Sequence, residues 1–537
     1  MTVAARISIL PDDRIVFYGD SITEQHLYTA LVETFLVCRL PAHRLHFENY
    51  GWGGDTAAGG SARFRRDAGQ AGASLVVVNF GMNDAGYTGP DAQRLATHVQ
   101  GQRELAATIA AVGARQVLCT CSAVDPDRNA HLSNYNGTLS GYADAVHDLG
   151  RELGLPVIDI FHGYLAAQQA GKAQDPAFTV ATDAVHPDEA GHLMMAAQIL
   201  LRLDLPPALG DLVVTRDQAS AANASIRAVE RSADGLAFTL DLPYLPWWIP
   251  PAARRAVPLL PGLEPLNRFR LGVRGWSDAR AVTVHVDGIE IATIAAGDEH
   301  WLDLTTCDAA PWAVRGRILW ELSRARWSRH YEIWRTFGHG LPAALTELDG
   351  WASLRALQGA FAERQMAVLR ELAQPQSYRI TLTETTVVPI TRVELSPSYP
   401  FDGSQASFDF AHPPEHSPET VAWRTVDLPT NQLDLAALFG GPLDCVAYAR
   451  FVVSADQPCR LRLVLGSDDG LTVFVNGASC LARHVFRGCT LGDDTVELPL
   501  QQGANTVLLR ITQGTGGWAF AMKATALDDG CVRQITA

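Results

Sequence analysis

The sequence predicts an α/β protein: a three-layer α/β/α domain with a parallel sheet, then a mixed β/helical middle region, then a carboxyl-terminal β-sandwich. Residues 1 to about 205 alternate short apolar stretches with helix-length segments. Near-continuous apolar strands separated by helices mark a parallel sheet covered on both faces. After Leu205-Pro206-Pro207 that rhythm stops, and beyond residue 376 short strands with turn signals recur without clear helices, as in a sandwich. The 537 residues suit three or four domains at roughly 100–200 residues each. The expected division is 1–205, 206–375 and 376–537.

In the first segment the predicted strands are Ile15–Tyr18, His46–Asn49, Leu75–Phe80, Gln116–Ser122 and Val157–Ile160. The helix candidates between them are Leu27–Arg39, Asp91–Val112, Asn134–Gly154 and Asp188–Leu203. The right-handed crossover rule folds these into a sandwich of layers. The middle segment offers strands Phe238–Leu242, Phe269–Val273 and Val282–Val286, a turn at Asp287-Gly288 and a Pro-rich interval from Pro243 to Pro265. Two helices follow. Pro311 opens the first and Gly338 lies just past its end, and the second runs from Gly350 to Leu372, in keeping with the preference for Pro at helix starts and Gly past helix ends. The last segment reads as strands Tyr378–Leu382, Leu461–Leu465, Leu471–Val475, Thr495–Leu500 and Thr506–Thr512, with Asn476-Gly477 as a hairpin turn.

Composition narrows the functional classes. A net charge of -15 repels phosphate backbones and anionic membranes, so neither nucleic acid nor membrane is an expected partner. No run approaches the ~18 uninterrupted apolar residues of a membrane span, and residues 1–14 lack the pattern of a signal peptide. Nine cysteines without a Cys-x-x-Cys pair fit reduced thiols in a cytoplasmic protein better than a disulfide scaffold.

Chemistry concentrates in four loops of the first segment. Gly19-Asp20-Ser21-Ile22-Thr23 follows the first strand, which puts Ser21 at a strand-to-helix turn on the carboxyl edge of the sheet, where ligands of open α/β sheets bind. The helix beyond is expected to aim its N–H groups toward the serine. Asn49-Tyr50-Gly51-Trp52-Gly53-Gly54-Asp55-Thr56 follows the second strand, and its glycines let backbone N–H groups approach a ligand. Gly81-Met82-Asn83-Asp84 follows the third strand and brings an amide to the same edge. Asp183-Ala184-Val185-His186 precedes the last helix and can present an imidazole with the carboxylate that orients it. Acyl transfer needs these parts: a nucleophile, a base, an orienting acid and oxyanion donors.

As a set, these four blocks, over about the first 205 residues, resemble the SGNH (GDSL-type) hydrolase family; Ile22 stands where the family's name has leucine. The resemblance implies Ser21 as nucleophile, His186 as general base and Asp183 as its orienter. It implies an oxyanion hole of Ser21, Gly54 and Asn83, with Gly54 preferred to Gly53 because the block ends in Gly-Asp-Thr. Asp84 and Asp20 read as structural. From about residue 376 onward, Gly466–Gly477, Gly503–Arg510 and Gly516-Gly517-Trp518 are similar to a galactose-binding-like β-sandwich module. Together the two resemblances imply a serine esterase acting on an O-acyl, foremost O-acetyl, carbohydrate ester. A lipase, arylesterase or thioesterase on small acyl esters is the alternative, and an inactive carbohydrate-binding protein is the other.

Other features carry less chemistry. His43 and His46 lack further ligands and read as a surface pair. His192 falls inside the last helix and reads as packed or capping. There is no P-loop and no GxGxxG, so no cofactor or metal is implied. Eight of the 12 tryptophans lie between Trp247 and Trp334, and Trp320, Trp327 and Trp334 recur every seven residues. They are either a sugar-stacking platform or the docking stripe of a helix, and an exposed stripe of that kind would promote aggregation. Trp518 could stack on a sugar or close a core, and Asp468 and Asp469 could bind calcium or brace a turn.

Overall fold

The computed structural model describes residues 6–69, 72–232, 235–276, 281–294, 299–337, 339, 349–385, 387–388, 390–402, 404, 408–428, 431–528 and 531–536. Five parallel strands form the amino-terminal sheet: β1 (Arg14–Gly19), β2 (His46–Asn49), β3 (Leu75–Asn79), β4 (Arg115–Cys119) and β5 (Val157–Ile158). Their order is β2-β1-β3-β4-β5. The chain leaves β1 toward one side and returns on the other, so the carboxyl end of β1 is the topological switch point.

Helices cover both faces, as the buried strands require. Val16, Tyr18, Val76, Val78 and Leu118 share one core with Phe64 of α3 (Ala57–Asp67), Leu105 and Ile109 of α4 (Ala92–Ala111), and Val146 and Leu149 of α5 (Tyr135–Leu153). The alternate residues Ile15 and Phe17 are equally buried and face the other layer. There, α2 (Leu27–Arg39) packs on α7 (Glu189–Leu200), and α7 on α6 (Ile160–Gln174).

Between β1 and α2 lies α1, a single turn from Ser21 to Glu24 whose N-cap Asp20 accepts a hydrogen bond from the Ile22 N–H at 3.0 Å. His26 at φ 60 ends it. Of the helix expected to point at Ser21, a single turn forms before the chain swings round into α2. Helices α3 and α6 were not expected. The predicted strand Val157–Ile160 stops at Ile158 because the Asp159 carboxylate accepts from the His162 N–H and caps α6.

The chain divides into two compact units, Met1–Gly275 with Val284–Ala292 and Glu299–Leu382, and Trp276–Thr283 with Thr293–Asp298 and Thr383–Ala537. Packing therefore runs on through the 205/206 junction. In the first unit, strands Gly210–Val214, Ala219–Ala221, Phe269–Arg274 and Glu299–Asp303 make a second small sheet. The predicted strand Tyr378–Leu382, assigned from sequence to the terminal region, lies instead in this unit as part of strand Gln376–Thr385, beside Gly235–Leu242. The helix Pro311–Glu332 begins at the expected proline, while Gly338 lies outside the described residues. Its tryptophans are packed, not displayed: Trp320, Trp327 and Trp334 are all buried. Trp327 meets Phe17 edge-on at 6.5 Å and stacks on His26 at 5.7 Å.

The second unit is mostly antiparallel β-sheet around an apolar core that includes Leu463, Val473, Leu509 and Phe520. Asn476 and Gly477, both at positive φ, turn the hairpin between Leu471–Val475 and Ala478–Arg483. Among the described residues no helix is long and apolar enough to cross a membrane.

Candidate active site

Ser21 opens α1 at the switch point. Its Oγ lies 2.9 Å from His186 Nε2, and His186 Nδ1 lies 2.7 Å from Asp183 Oδ2. The Asp183-Ala184-Val185-His186 loop folds on itself to make this possible. Asp183 Oδ1 accepts from the Val185 and His186 N–H groups at 2.9 and 2.7 Å, with Ala184 at φ 74. One carboxylate oxygen thus shapes the loop and the other holds the ring. Burial alone would push the Asp183 carboxyl up, but these N–H groups and the imidazole outweigh it and hold it below the ordinary carboxylate value.

Three N–H groups of these loops are candidate donors. Gly54 sits at φ 75 with open space where a Cβ would stand, a backbone that favours glycine. Neither its N–H nor that of Ser21 has an internal acceptor among the described residues. Asn83 Nδ2 donates to the Asp55 carbonyl at 2.9 Å, which leaves its second hydrogen available. The structure therefore gathers Ser21, His186, Asp183, Gly54 and Asn83 at one sheet edge, from four separate loops.

The supporting residues divide the remaining work. Asp84 Oδ1 accepts from the Ala57 N–H at 2.9 Å and faces His98 Nδ1 at 3.0 Å, so it braces the start of α3. Asp20 is fully buried, one of its oxygens lacks a partner, and desolvation pushes its carboxyl up to about 7. His192 is buried in α7; its Nδ1 accepts from the Tyr28 N–H at 3.2 Å and its Nε2 meets Gln25 Oε1 at 3.0 Å. Desolvation lowers its pKa to about 3, so it stays neutral and ties α7 to the end of α1 and the start of α2. His46 starts β2 and faces Glu363 at 3.1 Å. No group of three or more metal-ligating side chains occurs among the described residues.

Two residues that matter here gave no signal in the sequence. Tyr87 donates to Asn83 Oδ1 at 2.8 Å and stacks on Tyr135. Together with the Asp55 carbonyl on Nδ2, this holds the Asn83 amide in one orientation. Tyr87 does so from φ 57, an uncommon backbone for a bulky residue and one that no spacing rule reveals. Arg63 of α3 donates to the carbonyls of Gly19 and Tyr50 and to Asp55, bracing the glycine loop from inside the domain.

Residues 17–194 match the model of the GDSL-like lipase/acylhydrolase family. The amino-terminal domain is thus a GDSL-type hydrolase domain with the SGNH α/β/α fold. Among solved structures the chain is similar to a gut microbial diltiazem-metabolizing enzyme, at 20% identity over 71% of this chain and 99% of that one, with a TM-score of 0.61. At that identity the likeness is one of fold. It also matches LAE5, an alpha/beta hydrolase enzyme from the metagenome of Lake Arreo (25% identity, 35% of this chain and 93% of that one, TM-score 0.30). A further match is a mutant of the Geobacillus stearothermophilus acetylxylan esterase Axe2 (18% identity, 38% of this chain and 98% of that one, TM-score 0.31). No curated protein matches the chain.

Proposed function

We propose that the protein hydrolyses an O-acyl ester, with acetyl as the acyl group and a carbohydrate as the alcohol, through a Ser21-His186-Asp183 triad. The observation that carries this reading is the continuous Ser21 Oγ–His186 Nε2–Asp183 contact at 2.9 and 2.7 Å. A serine hydroxyl is a weak nucleophile until an imidazole takes its proton. His186 accepts that proton as Ser21 Oγ attacks the ester carbonyl carbon, and Asp183 steadies the imidazolium. The carbonyl oxygen gains negative charge and is met by the N–H groups of Ser21, Gly54 and Asn83 Nδ2. When the tetrahedral species collapses, His186 returns the proton to the departing alcohol oxygen, leaving the acyl group on Ser21. His186 then activates a water that releases the acid and regenerates the serine.

The carbohydrate half of the proposal is supported by the resemblance of the terminal sandwich to galactose-binding-like modules. Trp518 does not contribute to it: it is buried in the core and stacks on Phe439. The nine free cysteines favour work in the cytoplasm.

The test is a hydrolysis panel of acetylated sugars, long-chain esters and thioesters, with Ser21→Ala as the blank. Turnover of the acetylated sugars above the others is expected. Turnover confined to long chains or thioesters would replace the substrate assignment, and equal rates for wild type and blank would remove the esterase mechanism.

A further inference from the structure

The loop that presents Gly54 is also held from outside the hydrolase domain. Residues 333–337 continue the helix Pro311–Glu332 for a further, wider turn, and this turn reaches the loop of residues 49–56. The Arg335 guanidinium lies 3.5 Å from the centre of the Trp52 ring. Trp334 and His339 meet the same ring edge-on at 5.7 and 4.9 Å. Glu24, three residues past Ser21, accepts from the Tyr331 hydroxyl at 3.0 Å and pairs with Arg335 at 3.6 Å. Its other oxygen lies where a Cβ on Gly53 would meet it at 2.8 Å. At the head of the loop, His330 Nε2 lies 2.9 Å from the Asn49 carbonyl oxygen.

A loop with glycines at 51, 53 and 54 has the most backbone freedom to lose. Yet an oxyanion donor works only if it is already in place when charge develops, and errors of about 1 Å can cost 10²-fold. Arg63 holds the inner side of the loop. On the side of the continued helix, the Trp52 indole and the Gly53 backbone rest against Arg335 and Glu24. Glu24 joins the nucleophile's own turn to that contact. We propose that Arg335 is a positioning residue for this reaction: by pinning Trp52 and Glu24 together it fixes the Gly54 N–H relative to Ser21. The active site then includes a piece of the middle region, more than 130 residues beyond the last residue of the hydrolase family match.

This inference rests on the esterase reading, and its test separates the two. With p-nitrophenyl acetate as probe, Arg335→Ala is expected to lower kcat by about 10- to 100-fold, less than the ~10²–10³ of deleting a donor outright. KM should stay within about twofold, the signature of an interaction used in the transition state. Because Arg335 is partly exposed, thermal stability should move little. Arg335→Lys should recover most of the rate. Combining Arg335→Ala with Trp52→Phe should cost less than the sum of the two. Wild-type kcat in Arg335→Ala, or a loss seen only in KM or only alongside a fall in melting temperature, would overturn the proposal while leaving the esterase reading intact. An inactive wild type would remove both.

Discussion

Asp183 in the α/β domain and Asp469 in the terminal sandwich show how the same side chain is put to different ends. Both carboxylates accept two backbone N–H bonds. Asp183 takes both on Oδ1 and keeps Oδ2 for an imidazole, at a rim where its side chain is 55% exposed. Asp469 is buried and uses one oxygen on the Arg487 N–H at 2.9 Å and the other on the Gly514 N–H at 2.8 Å. Each oxygen is thus committed to holding a neighbouring segment of backbone. Tryptophan repeats the contrast, with Trp52 on a loop beside the nucleophile and Trp518 inside the sandwich core. Residue type alone does not mark a site; an unspent hydrogen-bonding atom facing solvent does.

If that contrast is sound, substitutions should separate along it. Ser21→Ala should cost at least ~10³ in kcat while the fold is retained, measured by initial rates beside circular dichroism. Asn83→Ala should cost ~10²–10³. Tyr87→Phe removes one of the two hydrogen bonds that hold the Asn83 amide and should cost roughly tenfold in kcat with little change in KM, less than losing the amide itself. In the sandwich the pattern inverts. Asp469→Ala strands the buried Gly514 N–H and should lower stability by about 1–3 kcal/mol, read by denaturant unfolding, with kcat unchanged. A loss of kcat there would mean that the sandwich acts on catalysis.

The smallest effect concerns Asp20. Its folded pKa of about 7 lies above the ordinary 3.8 because of burial, so between those values the folded protein keeps a proton that the unfolded chain gives up. This group's contribution to stability is present at low pH, declines as pH rises toward 7 and is absent above it. Asp20→Asn keeps a side chain able to cap α1 and should flatten the pH dependence of the melting temperature over that window. An unchanged slope would mean that Asp20 is ionised in the folded protein.

The chain announces its parallel sheet because both faces of it are buried: β2 and α2 fall within the residues expected. It conceals α3, whose Gly59-Gly60 pair and charged Arg63, Arg65 and Arg66 mask the apolar period, although Thr56 caps it by accepting from the Gly59 N–H. The four loops of the candidate site are legible because the proposed chemistry requires particular residue types at strand ends. Tyr87 and Arg335 are not, because each acts through a tertiary approach. One depends on a left-handed backbone, the other on a helix whose Arg326 forms a buried ion pair with Glu33 of α2. The strand expected at Tyr378–Leu382 pairs outside the terminal region for a related reason, since alternation reports a strand and not its neighbours.

Covalent capture bears on the mechanism without any assumption about substrate. Wild-type protein treated with a fluorophosphonate and weighed intact should gain one phosphonyl group, mapped by peptide sequencing to Ser21, at a rate that falls sharply in His186→Ala. An unlabelled wild type, or equal labelling of Ser21→Ala, would contradict the assignment of Ser21 as the nucleophile.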